Sequence, residues 1–98
     1  MALLHSLRSP DDILREIGGR ARDLRLSMNL SRATLAEKAG ISAATIKRLE
    51  DTGVISLPNL VLLAVALDAT EHFSALFEKP APVTLKQLQT PKRKRGRT

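Results

Sequence analysis

Between Ser31 and Gly53, the sequence alternates helix-capping residues with short helix-forming runs. Ser31 and Ser42 are suited to a helix N-terminus, because a serine oxygen accepts a hydrogen bond from a free backbone amide. Gly40 and Gly53 follow the two runs and can adopt the positive φ with which many helices end. This segment therefore predicts two short helices joined by a tight turn. They span Arg32 to Ala39 and Ala43 to about Asp51.

The packing pattern of these two helices restricts how they can meet. Ala36 is a small residue midway along the first helix, where a second helix can cross closely. Ile46 and Leu49 are three residues apart and can both face the first helix. A small residue, a glycine turn and such an apolar pair are typical of a DNA-binding helix-turn-helix. An ordinary helical hairpin has the same spacing, so the spacing alone leaves both interpretations open.

The outward face of the second helix favours DNA binding. When Ile46 and Leu49 face inward, the helical period turns the remaining side chains of this helix to solvent. Alanine methyl groups can contact thymine methyls, and lysine and arginine can reach guanine or phosphate. The alternative is that the alanines are good helix formers and the charged residues form a solvated face. The outward residues are Ala43, Ala44, Lys47, Arg48 and Asp51.

Composition favours a helical core. The chain has 98 residues, which suits one small domain, and 43% of them are hydrophobic. Aromatic residues make up only 2%, so the core must be built from Leu, Ile, Val and Ala. Such a core favours packed helices over a β-sandwich, whose strands prefer aromatic and β-branched residues.

A long first helix is predicted after Ser9-Pro10, because serine can cap and proline suits the first helical position. Apolar residues recur along it at steps of three and four, which predicts one buried face. Gly18-Gly19 interrupts this helix, and either close packing against another helix or a kink can explain it. The predicted buried residues are Ile13, Ile17, Ala21, Leu24 and Met28.

Two further helices are predicted after the turn at Gly53. Pro58 opens a fourth helix over Asn59 to Leu67, which is apolar on nearly every side. A fifth, short helix fits Thr70 to Phe77, with Phe73, Leu76 and Phe77 facing inward. The predicted organisation is a flexible leader at 1–9, a helical domain at 10–78 and a proline-containing basic tail at 79–98.

The positive charge is concentrated in the tail. The net charge is +6, yet nine Lys and Arg residues and all ten carboxylates lie at or before Glu78. The basic end can contact DNA phosphates, dock on an acidic partner, or remain a solvated end. Its candidate contact residues are Lys92, Arg93, Lys94, Arg95 and Arg97.

Several function classes lack support in the sequence. Cysteine is absent, and His5 and His72 are too far apart to suggest a metal site. We find no catalytic Ser/His/Asp or Cys/His set, no phosphate loop and no metal cluster, so we expect neither an enzyme nor a cofactor. Because the sequence has no run of about 18 apolar residues, we expect a cytoplasmic protein that does not enter a membrane.

Residues 17–77 resemble the Xre/Cro–CI family of helix-turn-helix regulators. This resemblance implies a compact, all-α, five-helix lambda-repressor-like bundle that works as a homodimer on inverted repeats in double-stranded operator DNA. The matching residues are Ile17-Gly18, Arg22, Leu24-Arg25, Leu30-Ser31, Leu35-Ala36, Ala39-Gly40-Ile41-Ser42, Thr45-Ile46, Leu49-Glu50, Leu60, Leu63-Ala64 and Ala66-Leu67.

The same resemblance implies roles for individual residues. The base-facing set would be Ser42, Ala43, Ala44, Lys47 and Arg48. Phosphates would be met by Ser31, Arg32 and Thr45, and a largely buried ion pair would join Arg25 to Glu50. Family members often carry Gln or Arg at the two alanine positions, so specificity here would depend on Lys47, Arg48 and DNA shape.

A finer resemblance concerns the biological role. The stretch from Thr45 to Gly53, followed by Ser56-Leu57, is similar to HipB-like antitoxins, as is the Pro80-Ala81-Pro82 exit. It implies a repressor in the bacterial cytoplasm that associates with the nucleoid, binds a HipA-type serine/threonine kinase toxin and represses their shared operon. A free-standing Xre-family transcriptional regulator without a toxin partner is the alternative.

Overall fold

The computed structural model describes residues 8–81, and within that range every regular element is helical. Four α-helices and one 3₁₀ turn follow one another along this part of the chain. They are α1 (Pro10–Ser27), α2 (Arg32–Ala39), α3 (Ala43–Thr52), α4 (Leu57–Ala66) and the 3₁₀ turn (Thr70–Phe73). Helix α1 packs on α3, α2 contacts both α3 and α4, and the 3₁₀ turn packs on α4.

The expectation of five helices is wrong for the described residues, because the last element is a single 3₁₀ turn. Ala69 precedes it and offers no side-chain cap, while its backbone amide donates to the Ala64 carbonyl. Phe77, expected within the fifth helix, has a φ of 60°, which no right-handed helix accommodates. The predicted leader up to residue 7 and the tail from residue 82 lie outside the described residues.

A serine precedes each α-helix of the described chain and caps it. In each case the serine Oγ accepts a hydrogen bond from the amide three residues later, at 3.0–3.2 Å. At Ser9 the cap is reciprocal, since the Asp12 carboxylate accepts from the Ser9 amide. Sequence reasoning missed Ser56, and therefore placed the start of α4 two residues too late. The four caps are Ser9, Ser31, Ser42 and Ser56.

Glycines end α2 and α3 in the left-handed conformation. Gly40 has a φ of 76° and Gly53 a φ of 81°. The Gly40 amide donates to Ala36 and the Gly53 amide to Leu49, at 2.8 and 2.7 Å. A side chain at such φ values is strained, so glycine stabilises both chain reversals. The prediction of positive φ at the helix-turn-helix turn is confirmed at Gly40.

The core lies where α2, α3 and α4 meet. Four large side chains are almost fully buried, each no more than 2% exposed, and alanines fill the gaps between them. Ala36, Ile46 and Leu49 are buried, as the packing pattern predicted. The four large core residues are Leu35, Ile46, Leu49 and Leu63.

Helix α1 buries only part of the apolar face predicted for it, since Ala21 and Leu24 pack against the core and the other three residues are exposed. Ile13, Ile17 and Met28 are 38–41% exposed, whereas Gly18 and Arg25 are buried. A Cβ on Gly18 would lie 2.1 Å from the Leu49 carbonyl oxygen, so the backbones of α1 and α3 touch at this point. Because glycine and arginine do not count as apolar, a count of hydrophobic residues found only part of the buried face of the helix.

The end of the described chain also differs from the prediction. Phe77 is 97% and Leu76 52% exposed, although both were expected to face inward, and Phe73 is half-buried. The short 3₁₀ turn and the positive φ at Phe77 direct the chain away from the core.

No single helix among residues 8–81 is long and apolar enough to cross a membrane. Helices α3 and α4 reach that length and composition together, but they are bent by 103° at the break between them.

Candidate nucleic-acid interface

Helix α3 has one buried and one exposed face. Ile46, Leu49 and Glu50 are buried against the rest of the domain. The five residues predicted to face DNA bases lie together on the exposed side, while Thr45 is half-buried. These exposed residues are Ser42, Ala43, Ala44, Lys47 and Arg48. The helix therefore presents two methyl groups near its start and two long cationic side chains one turn later.

The hydroxyl groups predicted to meet DNA are used in helix capping. Ser42 Oγ accepts from the Thr45 amide at 3.0 Å and lies 2.8 Å from Thr45 Oγ1. Ser31 Oγ accepts from the Thr34 amide and donates to Thr34 Oγ1, both at 3.0 Å. These bonds fix the first turns of α2 and α3, where free backbone amides favour an anion.

A buried ion pair joins α1 to α3. Arg25 Nε donates to Glu50 Oε2 at 2.6 Å, and Arg25 Nη2 donates to Glu50 Oε1 at 3.0 Å. Arg25 Nη1 donates to the Leu30 carbonyl at 2.8 Å, so the guanidinium also fixes the chain between α1 and α2. The two side chains are 6% and 1% exposed. This fork-to-fork geometry orients α3 relative to α1.

Glu50 also contacts Arg32, a residue predicted to meet phosphate. Arg32 Nε donates to Glu50 Oε1 at 2.9 Å, and the Arg32 side chain is 35% exposed. Burial alone would raise the pKa of the Glu50 carboxyl, but the hydrogen bonds and charges of Arg25 and Arg32 outweigh it and lower the pKa. The hydrogen bonds that Arg25 donates to Glu50 raise the pKa of Arg25, although burial opposes this. Glu50 thus accepts hydrogen bonds from one arginine of α1 and one arginine of α2.

A second ion pair lies on the exposed face of α3. Lys47 Nζ donates to Asp51 Oδ2 at 2.6 Å, and the two side chains are 62% and 48% exposed. The hydrogen bond from Lys47 lowers the pKa of the Asp51 carboxyl, and the charges of Lys47, Arg32 and Arg22 act in the same direction. Sequence reasoning turned Asp51 to solvent but gave it no role. The ion pair could have been found from the sequence, because Asp51 lies four residues after Lys47 and opposite charges at this spacing pair on a helix.

Arg48 differs from Lys47 in its surroundings. Its side chain is exposed and makes no ion pair with any residue in the described range 8–81. Its carbonyl accepts from Thr52 Oγ1 at 2.7 Å, which closes the last turn of α3 before Gly53. Lys92, Arg93, Lys94, Arg95 and Arg97 lie outside the described residues, so their predicted contacts stay predictions. Among the described residues, no group of acidic or histidine side chains could hold a metal ion.

Comparison with known proteins assigns the fold. The helix-turn-helix family HTH_3 matches residues 22–73. The chain belongs to this family. It is 37% identical to the restriction-modification controller protein C.AhdI from Aeromonas hydrophila, whose crystal structure superposes with a TM-score of 0.54. That match covers 58% of this chain and 88% of the controller protein.

The comparison with curated proteins finds no match. The family, together with the likeness to C.AhdI, supports the coarser of the functional predictions. The chain is a DNA-binding transcriptional regulator of the Xre helix-turn-helix type.

Proposed function

We propose that this chain binds a specific operator in double-stranded DNA, with α3 lying in the major groove. The observation that carries the proposal is the division of α3 into a fixed and a free face. Ile46, Leu49 and Glu50 hold the helix in place. The opposite face offers short and long side chains that together fit the floor and edges of a groove.

The proposed contacts follow from side-chain length and charge. Ala43 and Ala44 allow close approach and place methyl groups near thymine methyls. Lys47 and Arg48 reach guanine N7 and O6, and Ser42 contacts a base at the start of the helix. Ser31, Arg32 and Thr45 contact phosphates, because they lie at the beginnings of α2 and α3. Ala43 and Ala44 cannot form hydrogen bonds to bases through their side chains, so DNA shape contributes to specificity as well.

Substitution of both cations tests the proposal. A duplex is first selected by the wild-type protein from a random-sequence pool, and its affinity is compared with that of random DNA. The double variant Lys47→Ala plus Arg48→Ala should lose the preference for the selected duplex while its unfolding midpoint is unchanged. The matched control is Arg15→Ala plus Arg20→Ala, which removes two exposed arginines from α1. An unchanged preference in the Lys47 and Arg48 variant would defeat the assignment.

We propose further that the regulator is a homodimer. Helix α4 contains no charged residue, yet four of its large apolar side chains are 40–62% exposed. Monomeric proteins seldom leave such a patch uncovered, and a two-fold dimer would present two copies of α3 to an inverted repeat. The exposed residues are Leu57, Val61, Leu62 and Val65.

The oligomeric state tests this interface. Val65→Glu places a charge at the most exposed apolar residue of α4 and should convert the dimer to a monomer in sedimentation equilibrium. Glu37→Lys, at an exposed position on α2, is the control and should leave the dimer intact. A wild-type protein that sediments as a monomer at every concentration would refute the dimer.

Two biological settings suit such a repressor. A free-standing regulator is supported by the likeness to the controller protein C.AhdI. A HipB-like antitoxin is supported by the stretch from Thr45 to Gly53 with Ser56-Leu57, and it would bind a HipA-type kinase in the bacterial cytoplasm. Coexpression of this chain with the protein encoded next to it separates the two. A copurifying kinase supports the antitoxin, and its absence supports the free-standing regulator.

The proposed domain division assigns DNA binding to residues 10–78 and gives the tail at 79–98 an auxiliary role. The basic run from Lys92 to Arg97 would add phosphate contacts, each of which releases a counterion. Deletion of residues 91–98 should therefore flatten the dependence of DNA affinity on salt concentration. An identical salt slope would show that the tail does not touch phosphate.

A further inference from the structure

We infer that Asp51 increases the specificity of DNA binding by holding the Lys47 ammonium away from DNA phosphates. The inference rests on the proposed placement of α3 in the major groove. It goes beyond that proposal because it gives a role to an acidic residue on a surface otherwise expected to attract DNA.

The geometry places a carboxylate in the middle of the cationic face. Lys47 Nζ lies 2.6 Å from Asp51 Oδ2, and both side chains are exposed. The carboxylate is four residues after the lysine, so the pair lies along one side of α3. An ammonium already bonded to a carboxylate has less to gain from a phosphate than a free one. The pair therefore weakens the contact that every DNA sequence offers equally.

The negative charge of Asp51 acts in the same direction. Like charges repel each other even across water, and a duplex presents phosphates on both sides of the groove. In the major groove, a carboxylate can accept hydrogen bonds from base amino groups, such as N4 of cytosine. A sequence that provides such a group satisfies Asp51, and one that does not leaves the carboxylate facing phosphates. Discrimination thus arises partly from a penalty on incorrect DNA.

Other charges near Asp51 support this interpretation. The pKa of Asp51 is lowered by the bond from Lys47 and by the charges of Lys47, Arg32 and Arg22, so the carboxylate remains ionised at neutral pH. These cations come from α1, α2 and α3. A face with several cations and no acid would bind any duplex. Asp51 is the ionised acid on the exposed side of α3, so it limits such non-specific binding.

Asp51→Asn tests the inference because it removes the charge and keeps the shape. Affinity for random DNA should rise roughly three- to tenfold, as expected from the loss of one repulsive charge near several phosphates. The salt dependence of random binding should steepen by about one phosphate contact. Affinity for the duplex selected by the wild type should rise less, so the ratio of specific to random affinity falls. Asp51→Glu, which retains a carboxylate within reach of Lys47, should behave like the wild type.

Two controls separate this mechanism from a general charge effect. Asp68→Asn removes the same charge from the turn after α4 and should leave the salt slope unchanged. In a Lys47→Ala background, Asp51→Asn should increase random binding by a smaller factor than in the wild type. An equal factor in both backgrounds, or an unchanged affinity ratio in Asp51→Asn, would overturn the inference. A wild-type protein without any preference for its selected duplex would instead refute the proposed function itself.

Discussion

The two ion pairs of α3 use the same chemistry in opposite surroundings. Arg25 and Glu50 are 6% and 1% exposed, whereas Lys47 and Asp51 are 62% and 48% exposed. The buried pair has two additional hydrogen bonds, from Arg25 to the Leu30 carbonyl and from Arg32 to Glu50, and no solvent to replace a lost partner. The exposed pair can exchange its partners for water at little cost to the stability of the fold. Burial therefore assigns the first pair to stability and leaves the second accessible for the proposed contact with DNA.

The largest expected effect tests the buried pair. Arg25→Ala should lower the free energy of unfolding by about 3–5 kcal/mol, because Glu50 loses its main partner while remaining buried. Urea denaturation followed by circular dichroism measures the change. Arg15→Ala removes an exposed arginine from the same helix and should stay close to the wild type. If the two variants were equally stable, the buried pair would not be what holds α1 to α3.

The next effect concerns the close approach of α1 and α3 that lets this pair form. Gly18→Ala should lower the free energy of unfolding by about 1–3 kcal/mol, because its Cβ would push the Leu49 carbonyl away. Gly19 has no atom within 4 Å of an added Cβ. Gly19→Ala should therefore raise the free energy of unfolding by about 0.5–1 kcal/mol, since alanine favours a helix interior. Thermal denaturation of both variants gives the sign, and equal signs would contradict the packing at Gly18.

Acid should weaken the buried pair selectively. In the folded protein, Arg25 and Arg32 lower the pKa of Glu50, so its carboxylate stabilises the fold above the unfolded pKa of about 4.3. This contribution is lost as the pH falls through the lower, folded pKa. The free energy of unfolding of Glu50→Gln should thus depend less steeply on pH in this acidic range than that of the wild type. Asp51→Asn should change the slope less, because Asp51 is exposed. Equal slopes for wild type and Glu50→Gln would refute the linkage.

The smallest effect on stability is expected at the exposed pair. Lys47→Ala should leave the unfolding midpoint within the error of the wild-type value, because solvent replaces the lost contact. The same sample should bind the selected duplex more weakly in fluorescence anisotropy. A clear loss of stability in this variant would show that the exposed pair also stabilises the fold, and would contradict the proposed difference between the two pairs.

Much of the fold could be predicted from local signals. Serine caps and glycine turns are short-range, so the bounds of α2 and the end of α3 followed from Ser31, Gly40 and Gly53. The buried positions Ala36, Ile46 and Leu49 followed from helical periodicity. The cap at Ser56 was also a local signal, but it was missed because the start of the helix was predicted from the proline two residues later.

The candidate site was predictable in part. Periodicity placed Lys47 and Arg48 on the exposed face of α3, and the family resemblance indicated the contact between Arg25 and Glu50. The bond between Lys47 and Asp51 could have been predicted from the four-residue spacing of the two side chains. The bond from Arg32 to Glu50 could not have been predicted from spacing, because eighteen positions of sequence separate Arg32 from Glu50.

The sequence by itself determined where α2 and α3 begin and end and which face of α3 is apolar, because these properties depend on neighbours within four residues. Tertiary structure decided which residues of α1 meet α3. Gly18 and Arg25 do so because one allows the backbones to touch and the other finds a carboxylate there. The apolar periodicity of α1 indicates neither contact, and only the family resemblance pointed to the pair of Arg25 with Glu50. Tertiary structure also decided that Arg32 joins Arg25 at the Glu50 carboxylate, since only the assembled domain brings residues of α2 and α3 that are 18 positions apart into contact.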